Sequence, residues 1–95
     1  MSADRPRASA LLEVKNRLGL HLRAATLVVQ TLAGFQADIT VAKDDKSVNG
    51  RSILGLATLD AAQGSQVEVT ALGPDAEAAL LAVRALFEAC FHEGG

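Results

Sequence analysis

The sequence predicts an α+β domain in which a four-stranded antiparallel β-sheet is covered on one face by three helices. Four stretches alternate apolar and polar residues, which is typical of half-buried strands, and three others place apolar residues at helical spacing. The resulting order, β-α-β-β-α-β-α, favours one antiparallel sheet with helices packed on one side. The chain has 95 residues, 49% of them hydrophobic, and a chain of this length forms one domain.

Each element follows from a local pattern. Strands are predicted where the period is two, and helices where apolar residues recur every three or four positions. In chain order, the predicted strands cover residues 12–16, 35–41, 47–49 and 67–71, and the predicted helices cover 22–33, 53–59 and 74–90.

Residues at the element ends support these boundaries. Gly34 is expected to be a left-handed cap at the end of the first helix, and Ser52 an N-cap of the second. Pro74 suits the first position of the third helix. We interpret residues 1–9 as a flexible lead-in to a single domain over residues 10–92, with a frayed end over residues 92–95.

The composition excludes several classes of function. Nine basic and 11 acidic side chains give a net charge of −2, and the only aromatic residues are three Phe, which argues against nucleic-acid binding. The single cysteine, Cys90, is expected in the core and allows neither an internal disulfide nor a multi-cysteine zinc site. No apolar run approaches the ~20 residues that span a bilayer. We expect a cytoplasmic monomer without membrane insertion, and the motifs contain no candidate metal or cofactor site.

His21 directly precedes the first predicted helix. Unpaired N–H groups and the positive end of the helix dipole favour an anion at such a position, and Arg23 adds a planar cation that suits phosphate oxygens. An imidazole is largely neutral near pH 7 and can attack a phosphoryl donor. On spacing alone, a histidine that merely begins a helix is the more common explanation, so both interpretations stay open.

Ser52 precedes the second predicted helix, and capping alone explains a serine there. A phosphoserine at a helix N-terminus is also electrostatically tolerated. The helix that follows is apolar on nearly every side, so part of it should form an exposed patch suited to protein docking.

Three segments together resemble one known family. They are Asn16 to Thr26 (NRLGLHLRAAT), Val48 to Leu59 (VNGRSILGLATL) and Gly73 to Leu80 (GPDAEAAL). They are similar to HPr, the histidine-containing phosphocarrier of the bacterial phosphoenolpyruvate:sugar phosphotransferase system, including its nitrogen-branch relatives. The resemblance runs from about residue 10 to residue 91 and implies the family's open-faced β-sandwich.

The resemblance also implies roles for particular residues. His21 matches the histidine that is phosphorylated on Nδ1, Arg23 the arginine that supports the phosphate, and Ser52 the serine that an HPr kinase/phosphorylase modifies in many bacteria. The implied partners are enzyme I, which would phosphorylate His21, and EIIA-type acceptors, which would receive the phosphoryl group. The protein would then be a phosphocarrier rather than an enzyme. The implied docking residues are Leu22, Thr26, Ile53, Leu54 and Ala57.

The sequence departs from the family pattern at Ala24, where proline is usual. Alanine restores an N–H that a phosphate could use, and we expect phosphoryl acceptance to survive. Two other functions remain open: a regulatory binding module of the same family that controls a kinase or transcription factor without sugar transport, and a small-molecule-binding domain of ferredoxin-like topology.

Overall fold

The computed structural model describes residues 6–93 and contains the predicted four strands and three helices. The strands are β1 (Arg7–Glu13), β2 (Asp38–Lys43), β3 (Lys46–Asn49) and β4 (Gln66–Leu72), and the helices are α1 (Leu22–Leu32), α2 (Ile53–Thr58) and α3 (Ala76–Glu88). A single turn, Cys90–His92, follows α3.

The sheet has the strand order β1-β4-β2-β3, and every pairing is antiparallel. A ferredoxin-like split β-α-β unit would place β3 between β1 and β2. Here β4 lies between them, so the strand order excludes the ferredoxin-like alternative.

One face of the sheet is buried under the helices and the other faces solvent. Alternate residues of β2 and β4, such as Ile39, Val41, Val67 and Val69, are at most 3% exposed, whereas their neighbours along each strand are exposed or half-buried. The predicted period-two burial and the predicted one-sided helical cover are both confirmed.

The first strand lies earlier than predicted. It begins at Arg7, pairs with β4 from Leu72 onward and ends at Glu13. Residues 7–9 of the expected lead-in are therefore paired sheet residues, and residues 1–5 lie outside the described residues. Ala8 and Ala10 take the inward positions, and such small side chains produce a weak apolar alternation in the sequence.

The caps of two helices also differ from prediction. Ala33, in right-handed conformation, ends α1, and Gly34 does not adopt a positive φ. Pro74 lies before α3, whose N-cap is Asp75. The Asp75 carboxylate accepts a hydrogen bond from the backbone N–H of Gln36 (2.8 Å) and so ties the start of α3 to the segment before β2.

The last helix is shorter than predicted, because α3 ends at Glu88 and Cys90 lies beyond it, only partly buried. Cys90, Phe91 and His92 all adopt left-handed backbone angles, with φ of 54°, 52° and 63°. Each such residue costs about 1–2 kcal/mol. The Phe91 side chain is 1% exposed, with its ring centroid 4.9 Å from that of Phe87, and its burial offsets part of this strain, since burying a phenylalanine contributes about 1.5–3 kcal/mol.

Candidate functional site

His21 is the N-cap of α1. Its backbone is extended (φ −82°, ψ −178°), and its carbonyl accepts the first helical hydrogen bond, from Ala25 N–H at 2.8 Å. Its side chain does not cap the helix and is 29% exposed. The predicted placement is confirmed: the ring stands at the positive end of α1, with its nitrogens free of any capping role.

Glycine at position 19 is required for the loop that delivers His21. Gly19 adopts φ +71°, and a Cβ added there would lie 2.5 Å from the carbonyl oxygen of Ala61. The next residue, Leu20, donates its N–H to that same carbonyl at 2.9 Å. The loop before α1 is thus held against the segment that follows α2, so the position of His21 depends on a long-range contact.

Arg23 lies in the first turn of α1 and is exposed. No group among residues 6–93 forms a hydrogen bond or ion pair with its guanidinium. Ala24, by contrast, is fully buried. The N–H that alanine restores is therefore covered, and the interpretation that a phosphate could use it is not supported by this structure.

An exposed apolar surface lies next to the histidine. Leu18, Leu22 and Leu54 are 68%, 55% and 72% exposed. Leu18, His21 and Ala57 line one shallow groove of about 240 Å³, and α1 packs against α2. We call Leu18, Leu22, Leu54 and Ala57 the apolar patch. Leu18 was missed by the sequence analysis, although a leucine within a polar loop was a signal for it.

Two of the residues implied for docking contribute little to this surface. Ile53 is partly buried and packs against the core. Thr26 is partly exposed, and its hydroxyl donates to the Leu22 carbonyl of its own helix at 2.8 Å. Neither side chain adds a large apolar area to the patch.

Ser52 is the N-cap of α2, as predicted. Its hydroxyl oxygen accepts a hydrogen bond from Gly55 N–H at 2.9 Å, an interaction that contributes about 1 kcal/mol to stability. The preceding residue, Arg51, directs its guanidinium away from this site and donates to the carbonyls of Leu32, Phe35 and Ala37 (2.7–2.8 Å). Arg51 thereby satisfies carbonyls at and beyond the end of α1.

The chain end after α3 reaches the histidine. Glu93 Oε2 lies 3.3 Å from His21 Nε2, and the Glu93 side chain is only 10% exposed. Its other oxygen, Oε1, accepts from Asn16 Nδ2 at 3.1 Å. The expectation of a frayed end is therefore wrong for Glu93. Neither Glu93 nor the buried Asn16 was singled out from the sequence, since both contacts join residues more than 70 positions apart.

An ion pair holds the end of α3 near the same loop. Lys15 Nζ lies 2.7 Å from Glu88 Oε1. Their hydrogen bond, reinforced by the opposite charges, lowers the pKa of the Glu88 carboxyl and raises the pKa of the Lys15 ammonium. Both groups are therefore charged at neutral pH.

Two kinds of site were sought among the described residues and neither was found. Among residues 6–93, no group of three or more His, Cys, Asp or Glu side chains could hold a metal ion. Within the same range, no helix is both long enough and apolar enough to cross a bilayer.

The fold and site define a class of small domain that presents a histidine at a helix N-terminus beside an apolar surface. A family model described as the PTS HPr component phosphorylation site matches residues 8–89. The chain therefore belongs to the HPr family, the phosphocarrier proteins of the phosphotransferase system.

Individual relatives agree with this assignment. The chain is 41% identical over 83 residues to phosphocarrier protein HPr of Neisseria meningitidis, covering 87% of this chain and 93% of the relative. It is 40% identical over 82 residues to phosphocarrier protein NPr of Escherichia coli, covering 85% and 91%. A crystal structure of HPr-C-His from Thermoanaerobacter tengcongensis superposes with a TM-score of 0.87 at 42% identity, covering 93% of this chain and 99% of that one.

Proposed function

We propose that His21 accepts a phosphoryl group on Nδ1 from phosphorylated enzyme I and passes it to EIIA-type acceptors in the cytoplasm. The protein is then a stoichiometric carrier. The observation that supports this most directly is the state of the His21 side chain, which is a partly exposed ring at a helix N-terminus with no capping hydrogen bond.

The surroundings of the ring suit a transferring phosphoryl group. The Nδ1 lone pair forms a bond to phosphorus while the bond from phosphorus to the donor atom breaks, and the electron pair of that broken bond leaves with the donor. The equatorial oxygens carry negative charge throughout. The partial positive charge of the α1 N-terminus and the guanidinium of Arg23, which has no partner among residues 6–93, can compensate that charge.

The apolar patch supports a docking role for the same face. Leu22 and Leu54 each expose more than half of their surface, and Leu18 and Ala57 line the groove that contains His21. Arg17 and Arg23 are also exposed near this face. A small apolar contact with a basic rim fits a transient partner whose surface is apolar and acidic, and we assign this role to the surfaces of enzyme I and of the EIIA-type acceptors.

Ser52 is the proposed site of regulation by an HPr kinase/phosphorylase. It is partly exposed and lies two residues before Leu54 of the apolar patch. A phosphate there would add negative charge beside a surface proposed to meet acidic partners, and like-charge repulsion would weaken docking.

The deciding experiment is a phosphotransfer assay. The protein is incubated with cognate enzyme I and phosphoenolpyruvate, and mass spectrometry and ³¹P NMR detect an acid-labile phosphate. We expect an adduct on the native protein, none on His21→Ala, and an undiminished adduct on His92→Asn, which alters the other histidine.

His21→Ala should retain its fold, because the replaced side chain does not cap α1. Circular dichroism and thermal unfolding check this. A folded native protein that acquires no phosphate from active enzyme I would contradict the proposal and favour the regulatory module. An adduct that persists in His21→Ala would show that another residue is the acceptor.

A further inference from the structure

The two edges of the sheet differ in length. β3, at one edge, has 4 residues, whereas β1, at the other, has 7 and pairs among the described residues on one side only, with β4. A long edge strand presents a row of N–H and C=O groups to any other extended chain, and proteins usually interrupt such an edge with a proline or a bulge. Neither occurs within β1, since Pro6 precedes the strand and the register with β4 advances without a break. The edge of β1 can therefore accept a further strand.

The direction of the backbone groups along β1 follows from the hydrogen bonds at its two ends. Gly73 N–H donates to the Pro6 carbonyl at 2.9 Å, and Val14 N–H donates to the Ser65 carbonyl at 2.8 Å. Opposed residues of an antiparallel pair alternate between hydrogen-bonded and non-hydrogen-bonded positions, so the even-numbered residues of this strand bond to β4. The odd-numbered residues, whose backbone groups point to the free edge, are Arg7, Ser9, Leu11 and Glu13.

The side chains of this edge are self-complementary. A second β1 strand that runs antiparallel can bond to all four of these residues only in the register centred on Ala10. That register places Arg7 of each copy opposite Glu13 of the other, and opposite charges across two strands stabilise the pair. Neither charge forms an ion pair within residues 6–93. Leu11, 65% exposed, then lies diagonally opposite Leu11 of the second copy and within reach of it.

The helix-covered face of the strand has small side chains at this edge. Ala8 and Ala10 take the inward positions and are only partly buried. In the same register, Ala10 meets Ala10 of the second copy as a non-hydrogen-bonded pair, the position that brings opposed side chains closest. A methyl group fits at that spacing, so the hydrogen bonds, the charges and the packing all favour one register.

We propose that the free edge of β1 is a self-association surface, on which β1 of a second copy pairs antiparallel in the register centred on Ala10. The two four-stranded sheets then form one continuous sheet across a two-fold axis. Strands of 7 residues bury little area, so the association is weak and the expected monomer predominates in dilute solution. The proposal is independent of phosphoryl transfer, because it uses none of the residues around His21.

Analytical ultracentrifugation and amide hydrogen exchange, measured by NMR over a range of protein concentrations, test this surface. We expect a monomer–dimer equilibrium between micromolar and millimolar concentration. Exchange at the N–H groups of Ser9 and Leu11 should slow as the concentration rises. The N–H groups of Ala8 and Ala10 bond to β4, and they should exchange slowly at every concentration, which makes them an internal control.

A pair of proline variants separates the two edges of the sheet. Ser9→Pro removes an edge N–H and leaves the bonds to β4 intact, and proline is tolerated on an edge strand. Ser47→Pro is the matched control, because Ser47 is also exposed and its N–H points to the free edge of β3. We expect Ser9→Pro to weaken dimerisation about 10-fold or more and Ser47→Pro to leave it unchanged, with circular dichroism confirming that both variants fold.

The register is tested by exchanging its charges. Glu13→Arg places like charges opposite each other and should weaken dimerisation about 10-fold. The same substitution raises the net charge of the chain from −2 to neutral and so lowers the general repulsion between copies, which would by itself favour association. The double variant with Arg7→Glu and Glu13→Arg restores opposite charges and should recover the native affinity.

The opposite results overturn the proposal. A native protein that stays monomeric at millimolar concentration lacks this surface. A dimer that leaves exchange at Ser9 and Leu11 unchanged, or that Ser47→Pro weakens as much as Ser9→Pro does, forms through another part of the molecule. Slow exchange at Ser9 and Leu11 at every concentration would show that the chain itself covers the edge. A double charge variant as weak as Glu13→Arg would refute the register.

Discussion

The N-terminal ends of α1 and α2 have the same backbone architecture, but the side chains at their N-caps form different contacts. His21 and Ser52 both occupy the N-cap in an extended backbone conformation, and each carbonyl accepts the first hydrogen bond of its helix. The Ser52 hydroxyl caps its own helix, through Gly55 N–H. The His21 ring does not cap, and its nitrogens face the Gly19 carbonyl and the Glu93 carboxylate instead.

The neighbouring arginines repeat this contrast. Arg51, before α2, makes three hydrogen bonds to backbone carbonyls, whereas Arg23, in α1, has no partner among residues 6–93. Where the local hydrogen bonds are complete, a helix start stabilises the fold. Where the N-cap side chain leaves the helix N–H groups open and the nearby charge has no partner among the described residues, the helix start can bind a ligand. The position of its side chains then depends on contacts from other parts of the fold.

The largest effect should come from Gly19→Ala, which breaks the long-range support of the first helix start. The new Cβ meets the Ala61 carbonyl at 2.5 Å, and φ is +71°. We expect the free energy of unfolding to fall by about 2–4 kcal/mol, measured by urea unfolding. Gly34→Ala is the control, since a Cβ added there would meet no atom within 4 Å beyond its chain neighbours, and the change in stability should stay within about 1 kcal/mol. Equal losses in the two variants would refute this account.

A smaller effect is expected from Leu54→Ser, which tests whether the apolar patch serves docking. Leu54 is 72% exposed, so stability should be nearly unchanged. The kcat/KM of phosphoryl transfer from enzyme I should fall about 10-fold, as for a contact at the centre of an interface. Leu81→Ser removes a leucine that is 58% exposed on α3 and should leave transfer unaltered. A similar loss in both variants would argue against the patch as the docking surface.

The smallest effect should come from Ser52, where capping and charge can be separated. Ser52→Ala removes the cap and should lower the free energy of unfolding by about 1 kcal/mol, with transfer to His21 unchanged. Ser52→Asp supplies an equally good cap and should keep stability, yet slow transfer several-fold at low salt through like-charge repulsion. Thermal unfolding of both variants measures the effect of the cap on stability, and transfer kinetics measure the effect of charge on docking. Unchanged transfer in Ser52→Asp would count against regulation by charge at this site.

The elements most accurately predicted are those whose signal is local and strong. The bounds of α1 and α2, the N-caps His21 and Ser52, and β4 follow from helical spacing, cap preferences and strict alternation. The start of β1 was predicted five residues late, because alanines occupy its inward positions. The end of α3 was predicted too late in the chain, because the apolar spacing continues beyond Glu88 into the left-handed turn Cys90–His92.

The sequence by itself determined the order of strands and helices, the one-sided burial of the sheet and the histidine at the start of α1. Each of these depends on interactions between residues a few positions apart, which periodicity and cap chemistry record. Only the tertiary structure decided that Gly19 must fit against Ala61 and that Glu93 lies beside both the His21 ring and the Asn16 side chain. Those contacts join residues 42 to 77 positions apart, and no local pattern encodes a pairing that exists only once the sheet and α3 have packed.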